Sequence, residues 1–178
     1  MASPRTTSTS RKITFVVTLA SAAGAVVACG PKVTPPEFTL AFQSTHMAVA
    51  TDVVQVSAYA VASGDGEFGE ASICATLLGR LRKGQDLGVK PLVRSAVATP
   101  CEVQAGDKGS LDVSYGKRAL VGIGYDTEGV EIVIGCTVGI VESGAGPISI
   151  SMTLFDPTNP LPPASKCSKL ADKCAGAC

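Results

Sequence analysis

A long alternation of apolar residues in the second half of the chain constrains the fold more than any other feature. Between residues 130 and 140 every second residue is apolar: Val130, Ile132, Ile134, Cys136, Val138 and Ile140. Because successive side chains of a strand point to opposite faces of a sheet, this pattern predicts one long strand with an apolar face. Cys136 shares that face, so a disulfide bond from it is expected to lie in the core.

Weaker versions of the same alternation predict the remaining strands. They cover residues 38–42, 52–62, 97–103, 111–115, 118–125 and 148–154. Residues 126–129, which read Asp-Thr-Glu-Gly, are typical of a hairpin turn between two of these strands. The chain is therefore expected to be mainly β, as an antiparallel β-sandwich of about seven strands over residues 37–156.

Two local patterns depart from plain alternation. Residues 71–83 place Ile73, Leu77 and Leu81 at four-residue steps, which favours one short helix ending near Gly84, with a strand over residues 73–78 as the alternative. The stretch Gly122-Ile123-Gly124 has no helix after it, so it is interpreted as a sheet face of small residues and not as a phosphate-binding loop.

The charge of the chain is unevenly distributed. Fifteen basic and fifteen acidic residues give a net charge of zero, which does not favour a nucleic-acid partner. Residues 1–28 nevertheless contain Arg5, Arg11 and Lys12 and no acid. Arg11 and Lys12 precede an apolar run over residues 13–28, and this order is typical of a secretory signal. The run is shorter than the ~20 apolar residues of a membrane-spanning helix.

The end of this run carries a more specific pattern. Val26-Val27-Ala28-Cys29 resembles the lipobox of bacterial lipoproteins. The resemblance implies that residues 1–28 form a lipoprotein signal peptide, that Cys29 receives a diacylglycerol group, and that membrane lipid is a partner. It also implies a lipidated tether over residues 29–36 and a location in the cell envelope. Gly30 stands where an Asp would favour the inner membrane, so the outer membrane is expected. The alternative is an ordinary signal cut nearby, with Cys29 an ordinary thiol.

Six cysteines follow Cys29. They are Cys74, Cys101, Cys136, Cys167, Cys174 and Cys178. An even number in an exported chain predicts disulfide bonds. Three lie in the body and three in the last twelve residues, so either one bridge at least joins tail to body or each group keeps a free thiol; we expect the bridge. Cys136 is expected to pair with Cys74 or Cys101.

The tail itself is read as residues 157–178, a Pro-rich linker followed by a Cys-rich end. The spacing of its three cysteines does not match a zinc site, so disulfide bonds are favoured over a metal. A helical turn or two is expected over residues 165–178.

Candidate catalytic and binding residues are few. His46 is the only histidine and no Gly-x-Ser-x-Gly motif accompanies it, so it is interpreted as a surface residue. Asp65, Glu67 and Glu70 could offer oxygen ligands to Ca²⁺, but their spacing differs from an EF-hand and a solvated loop is favoured.

Residues 80–94 contain the densest group of cations. These are Arg80, Arg82, Lys83, Lys90 and Arg94. They are interpreted as a solvated helix end and loop, with contact to anionic headgroups or an acidic glycan as the alternative.

These features together predict a non-catalytic binding or structural module, anchored in a membrane and requiring no cofactor or metal. An envelope protein or a glycan is the expected further partner. The hairpin Tyr125-Asp126-x-x-Gly129 followed by an apolar strand loosely resembles transthyretin-type and immunoglobulin-like modules of surface lipoproteins. The alternative is an envelope enzyme or a metal-binding protein that uses residues 65–70 or the cysteine tail.

Overall fold

A computed structural model describes residues 36–161 and 167–178, which belong to one compact unit. Its elements, in chain order, are β1 (Phe38–Phe42), α1 (Thr45–Ala50), β2 (Val53–Ala60), α2 (Ile73–Arg82), β3 (Val93–Arg94), α3 (Pro100–Gln104), β4 (Gly116–Tyr125), β5 (Glu131–Val141), β6 (Ile148–Leu154) and α4 (Leu170–Cys174). The described part of the chain is therefore mainly β, as the alternation predicts. The predicted signal peptide, Cys29 and the tether up to residue 35 lie outside the described residues.

The described strands form a single six-stranded sheet with the order β1-β6-β5-β4-β2-β3. Neighbouring strands are antiparallel except β1 and β6, which are parallel. The expected antiparallel sandwich of about seven strands is not confirmed. Four short helices are described: α2 and α4 lie where a helix and a helical turn were expected, whereas α1 and α3 were not predicted. Two of the segments predicted as strands do not form strands, and β3 was not predicted, so the described sheet has six strands.

The first of these segments is residues 97–103, where a helix replaces the expected strand. Thr99 and Glu102 form a reciprocal cap: Thr99 Oγ1 accepts a hydrogen bond from the Glu102 N–H at 3.2 Å, and Glu102 Oε2 accepts one from the Thr99 N–H at 2.8 Å. Pro100 occupies the first helical position, where its missing N–H costs nothing. These local interactions favour a helix over the strand that the weak apolar alternation predicts, and α3 begins at Pro100.

The second segment is residues 111–115, where the alternation reports burial without strand formation. Leu111 and Val113 are buried in the core, whereas Tyr115 is exposed. The Phe38 N–H donates to the Gly109 carbonyl at 2.7 Å, and the Leu111 N–H donates to the Pro36 carbonyl at 3.1 Å. The segment therefore contacts the beginning of β1 through isolated hydrogen bonds and forms no strand of its own.

Both faces of the sheet are covered. On one face, here called the α2 face, Tyr59, Ala119 and Val121 pack against Ile73 and Leu77 of α2. The opposite face carries the larger cluster, which includes Phe38, Met47, Val54, Val56, Val103, Leu120, Val133, Ile150 and Met152. The central strands therefore form a middle layer between α2 and a second set of short helices and loops.

Glycines in β4 and β5 allow this close packing. A Cβ on Gly122 would lie 3.1 Å from the sulfur of Met152, and a Cβ on Gly124 would overlap the side chain of Val133. A Cβ on Gly135 would overlap the Ser151 carbonyl oxygen and lie 2.9 Å from the Met152 sulfur. The interpretation of residues 122–124 as a sheet face of small residues is confirmed, because a side chain at Gly124 would overlap Val133 and one at Gly122 would crowd Met152.

The turns around these elements agree with the sequence. Asp126 Oδ1 accepts hydrogen bonds from the N–H groups of Glu128 and Val130, each at 2.9 Å, and Gly129 adopts a φ of +79°. Helix α2 ends at the expected position, with Gly84 at a φ of +60°. The helices within the described ranges are all too short or too polar to cross a bilayer.

We predict that Gly135→Ala destabilises the fold by about 1–3 kcal/mol, because the added methyl group must displace the β6 backbone or Met152. Gly79→Ala is the control, since Gly79 lies inside α2 with open space around it. That change should raise stability by roughly 0.5–1 kcal/mol through the higher helix propensity of Ala. Urea unfolding of both variants measures the two effects, and equal stability of the two variants would contradict the close packing over β5.

Candidate functional site

Three disulfide bonds connect the six described cysteines. Cys74 pairs with Cys136, Cys101 with Cys174 and Cys167 with Cys178, at Cα–Cα distances of 5.4, 5.3 and 5.3 Å. The first bridge fixes α2 to β5, and it joins Cys136 to one of the two partners that the sequence left open. The second bridge joins the tail to the body.

The tail-to-body bridge shapes a small cavity, here called the edge cleft. Its lining residues come from β1, α3 and α4: Thr39, Leu40, Phe42, Pro100, Val103, Gln104 and Leu170. The cleft has a volume of about 260 Å³. Because Cys101 belongs to α3 and Cys174 to α4, their bond holds two of the three walls together. The cysteine tail is thus part of the domain wall.

A half-buried lysine provides a second attachment for the tail. Lys173 Nζ donates to the carbonyls of Val49 at 2.9 Å and Thr51 at 2.7 Å, at the C-terminal end of α1. Burial lowers the pKa of Lys173, and the charge of Asp52 opposes that shift. Cationic groups favour the carbonyl end of a helix, so this contact fixes α4 against α1.

Strand β1 forms one edge of the sheet beside the cleft. The Glu37 carbonyl accepts from the Ile148 N–H at 2.9 Å, and the Gln43 N–H donates to the Met152 carbonyl at 3.2 Å. Backbone groups of alternate residues point to opposite sides of a strand, so those of Leu40 and Phe42 point away from β6. None of the described strands lies beyond β1.

The chemistry of the edge cleft is apolar. None of its lining side chains ionises near neutral pH, and Thr39 and Gln104 supply the only polar side chains among them. General acid–base catalysis needs a titratable group within hydrogen-bond reach of the reacting atoms. The volume is also slightly below the ~300–1,000 Å³ of typical small-molecule sites. The cleft is suited to receive one bulky apolar group and lacks the groups for acid–base chemistry.

The acidic loop over residues 65–70 forms ion pairs with neighbouring elements and does not line the edge cleft. Glu67 forms an ion pair with Arg80, and Glu70 forms one with Lys117. Asp65, Glu70 and Lys117 line a groove of about 500 Å³, but the two glutamates face different cations. In the part of the chain that the structure describes, no three His, Cys, Asp or Glu side chains are grouped to hold a metal ion. The loop carboxylates therefore hold the loop to α2 and β4.

His46 lies on the exposed side of α1 and does not line this groove. The structure therefore does not bring the histidine to the acidic loop. The edge-cleft residues were not predicted as a site. The Thr-Pro-Cys-Glu sequence at residues 99–102 could have located α3, but the position of α4 requires the disulfide connectivity.

We predict that Cys101→Ala/Cys174→Ala releases α4 from the cleft. The cysteines are 73 residues apart, and closing a loop of that length contributes about 4 kcal/mol in the chain-entropy treatment. Hydrogen exchange of residues 170–174 should become faster and the free energy of unfolding should fall by a large part of that value.

The control for this experiment is Cys167→Ala/Cys178→Ala, whose loop spans 11 residues and contributes about 3 kcal/mol at most. It should leave exchange at the α3 wall of the cleft unchanged. If hydrogen exchange in α3 and α4 rises equally in both double variants, the Cys101–Cys174 bond does not hold the walls of the cleft together.

The α3 cap gives a pH-dependent prediction. A hydrogen bond from Lys108, followed by the bond from Thr99, lowers the pKa of Glu102 below its ordinary value of 4.5. A carboxyl group with a lowered folded-state pKa stabilises the fold above the unfolded pKa and loses this effect as the pH falls through the folded value. The stability difference between the native protein and Glu102→Gln should therefore be constant above about pH 5 and shrink below about pH 4.5. Thermal unfolding at several pH values measures it, and Lys108→Met should move the loss to higher pH.

Comparison with known proteins identified no relative of this chain. No family model, curated protein or solved structure matches it. Its function must therefore be inferred from its own residues and from the geometry described above.

Proposed function

We propose that this chain is a lipid-anchored module of the bacterial cell envelope that acts by binding or structural support and not by catalysis. The observation that carries the proposal is the pairing of the cysteines. The six cysteines after residue 70 pair with one another, so no cysteine of the chain is left for Cys29. The seventh cysteine is Cys29, and the motif Val26-Val27-Ala28-Cys29 accounts for it as the residue that is lipidated.

The disulfide bonds also support export. Stable disulfides form in oxidising compartments and are rare in the reducing cytosol. The positively charged start and apolar run over residues 11–28 would direct the chain to such a compartment. A single acyl chain gives only marginal membrane binding, so the diacylglycerol on Cys29 is needed for a stable anchor. Gly30 favours the outer membrane as its location.

The non-catalytic part of the proposal is supported by the edge cleft. Its lining offers apolar surface and no ionisable side chain, which suits binding of an apolar group from an envelope partner. The alternative of an enzyme or metal-binding protein has less support. The glutamates it would use are paired with Arg80 and Lys117, and the tail cysteines are in disulfide bonds.

We predict that the purified mature protein begins at Cys29 and carries the mass of a diacylglycerol group on that residue. Cys29→Ser should abolish this mass, and a Cys29→Ser chain that lacks residues 1–28 should move from the detergent phase to the aqueous phase in a detergent partition experiment. Cys167→Ala/Cys178→Ala, which also removes cysteines, should stay acylated and in the detergent phase. A mature chain with a free thiol at Cys29, or one cut elsewhere, would overturn the anchor.

A further inference from the structure

The segment from the end of α2 to β3 is rich in cations and crosses one face of the sheet. Five of the residues from 80 to 94 are basic and one, Asp86, is acidic. Leu87 and Val89 pack onto the cluster of the α2 face. The segment therefore runs along that face from α2 to the outermost strand, β3.

The five cations have different surroundings. Arg80 forms an ion pair with Glu67 and donates to the Leu87 carbonyl at 2.7 Å. Arg82 donates to Thr153 Oγ1 at 3.1 Å and to the carbonyls of Leu154 and Phe155 at 3.1 and 3.0 Å. These two arginines are therefore structural.

Lys83, Lys90 and Arg94, by contrast, are exposed, and none of the ion pairs among the described residues includes them. Arg82 is exposed as well but is held by its hydrogen bonds, so these three are the exposed cations of residues 80–94 for which the structure describes neither an ion pair nor a side-chain hydrogen bond.

Two large apolar side chains are exposed beside these cations. Leu92 and Val97 are each 51% exposed. Val93 pairs with Ala58 and packs into the core, whereas Arg94 pairs with Ser57 on the other side of the sheet. Because side chains alternate along an extended segment, Leu92 and Arg94 point to the same side, away from that core. Residues 92–98 run along β2, so Leu92, Arg94 and Val97 lie along one edge of the sheet, with Lys90 two residues before Leu92.

We propose that this edge, the docking edge formed by Lys90, Leu92, Arg94 and Val97, rests on a phospholipid bilayer that contains anionic headgroups. The inference rests on the proposed anchor at Cys29, which would hold the domain near such a surface. Lys and Arg are attracted to anionic headgroups, and exposed apolar side chains gain by entering the boundary between headgroups and acyl chains. A polysaccharide matches the charge but offers no apolar phase for Leu92 and Val97, so the bilayer is the better match.

The reach of the tether is compatible with this placement. The chain enters the domain at β1, and β3 is the opposite edge of the six-stranded sheet. Five strand spacings of about 4.8 Å separate the two edges by roughly 24 Å. Residues 30–36 can span at most about 25 Å when fully extended. The docking edge can therefore contact the membrane in which Cys29 is anchored only if the tether is nearly extended.

The absence of Trp from the sequence permits a direct experiment. Leu92→Trp places a single tryptophan on the docking edge of the full acylated protein, which is reconstituted into vesicles of phosphatidylcholine with or without phosphatidylglycerol. We expect emission at shorter wavelength, and quenching by brominated acyl chains, only in the vesicles that contain phosphatidylglycerol. High salt should reverse both effects. Ile140→Trp is the matched control, since Ile140 is 57% exposed on β5, and its emission should not change.

Charge reversal tests the electrostatic part. Each Lys or Arg near an anionic bilayer contributes about fivefold to binding. Lys90→Glu/Arg94→Glu in the Leu92→Trp background should therefore lower the ratio of docked to undocked protein by at least about tenfold. Lys169→Glu changes an exposed lysine of the tail and should leave the ratio unchanged.

The outcomes separate docking from anchoring. The mass of the purified protein reports acylation before any vesicle is added, so a missing acyl group overturns the anchor alone. If the acylated Leu92→Trp variant shows the same emission in both kinds of vesicle, the docking edge is overturned while the anchor stands. A soluble anionic polysaccharide that shifts the emission of this variant as strongly as the vesicles would also overturn docking on lipid, because it would identify a glycan site.

Discussion

The pairing of β4 with β5 is the interaction on which the rest of the structure depends. These two strands are antiparallel along nearly their whole length, from Gly116 opposite Val141 to Tyr125 opposite Glu131. One face of the pair receives α2, and β5 carries Cys136, to which α2 is bonded. The other face contains the glycines beneath Met152, which let β6 and the larger core cluster pack closely. Both layers that flank the sheet are therefore positioned by this one pair of strands.

The disulfide bonds complement a core that is poor in aromatic residues. Aromatic residues make up 4% of the chain and Trp is absent, so the interior consists mostly of Val, Ile, Leu, Ala and Met. Such side chains bury less area each than aromatic rings do. One bridge joins α2 to β5 and another joins α3 to α4 on the opposite side. Helix α2 is thus bonded to the sheet and two helices of the opposite layer are bonded to each other, which limits the chain entropy that the core must offset.

The sequence predicted local structure better than the arrangement of layers. Period-two alternation located β1, β2, β4, β5 and β6, and the leucine spacing located α2. The same alternation at residues 111–115 was produced by burial of Leu111 and Val113 without strand formation. Alternation shows that one side of a segment is apolar but not what covers it, so a sandwich and a sheet covered by helices give similar patterns. The edge cleft was not predicted, because the position of α4 beside α3 depends on the Cys101–Cys174 pairing and on the contact of Lys173 with α1.

The two edges of the sheet differ in chemistry. Sheet edges invite unwanted strand pairing, and proteins commonly protect them with charges and very short strands. The β3 edge has both, since the strand is two residues long and includes Arg94. The β1 edge has neither: residues 38–42 are uncharged, and the apolar edge cleft lies beside them. If the β3 side rests on the bilayer, the cleft faces away from it by roughly the width of the sheet, about 24 Å. The edge suited to an apolar partner would then remain accessible from the envelope space, while the cationic edge is occupied by lipid.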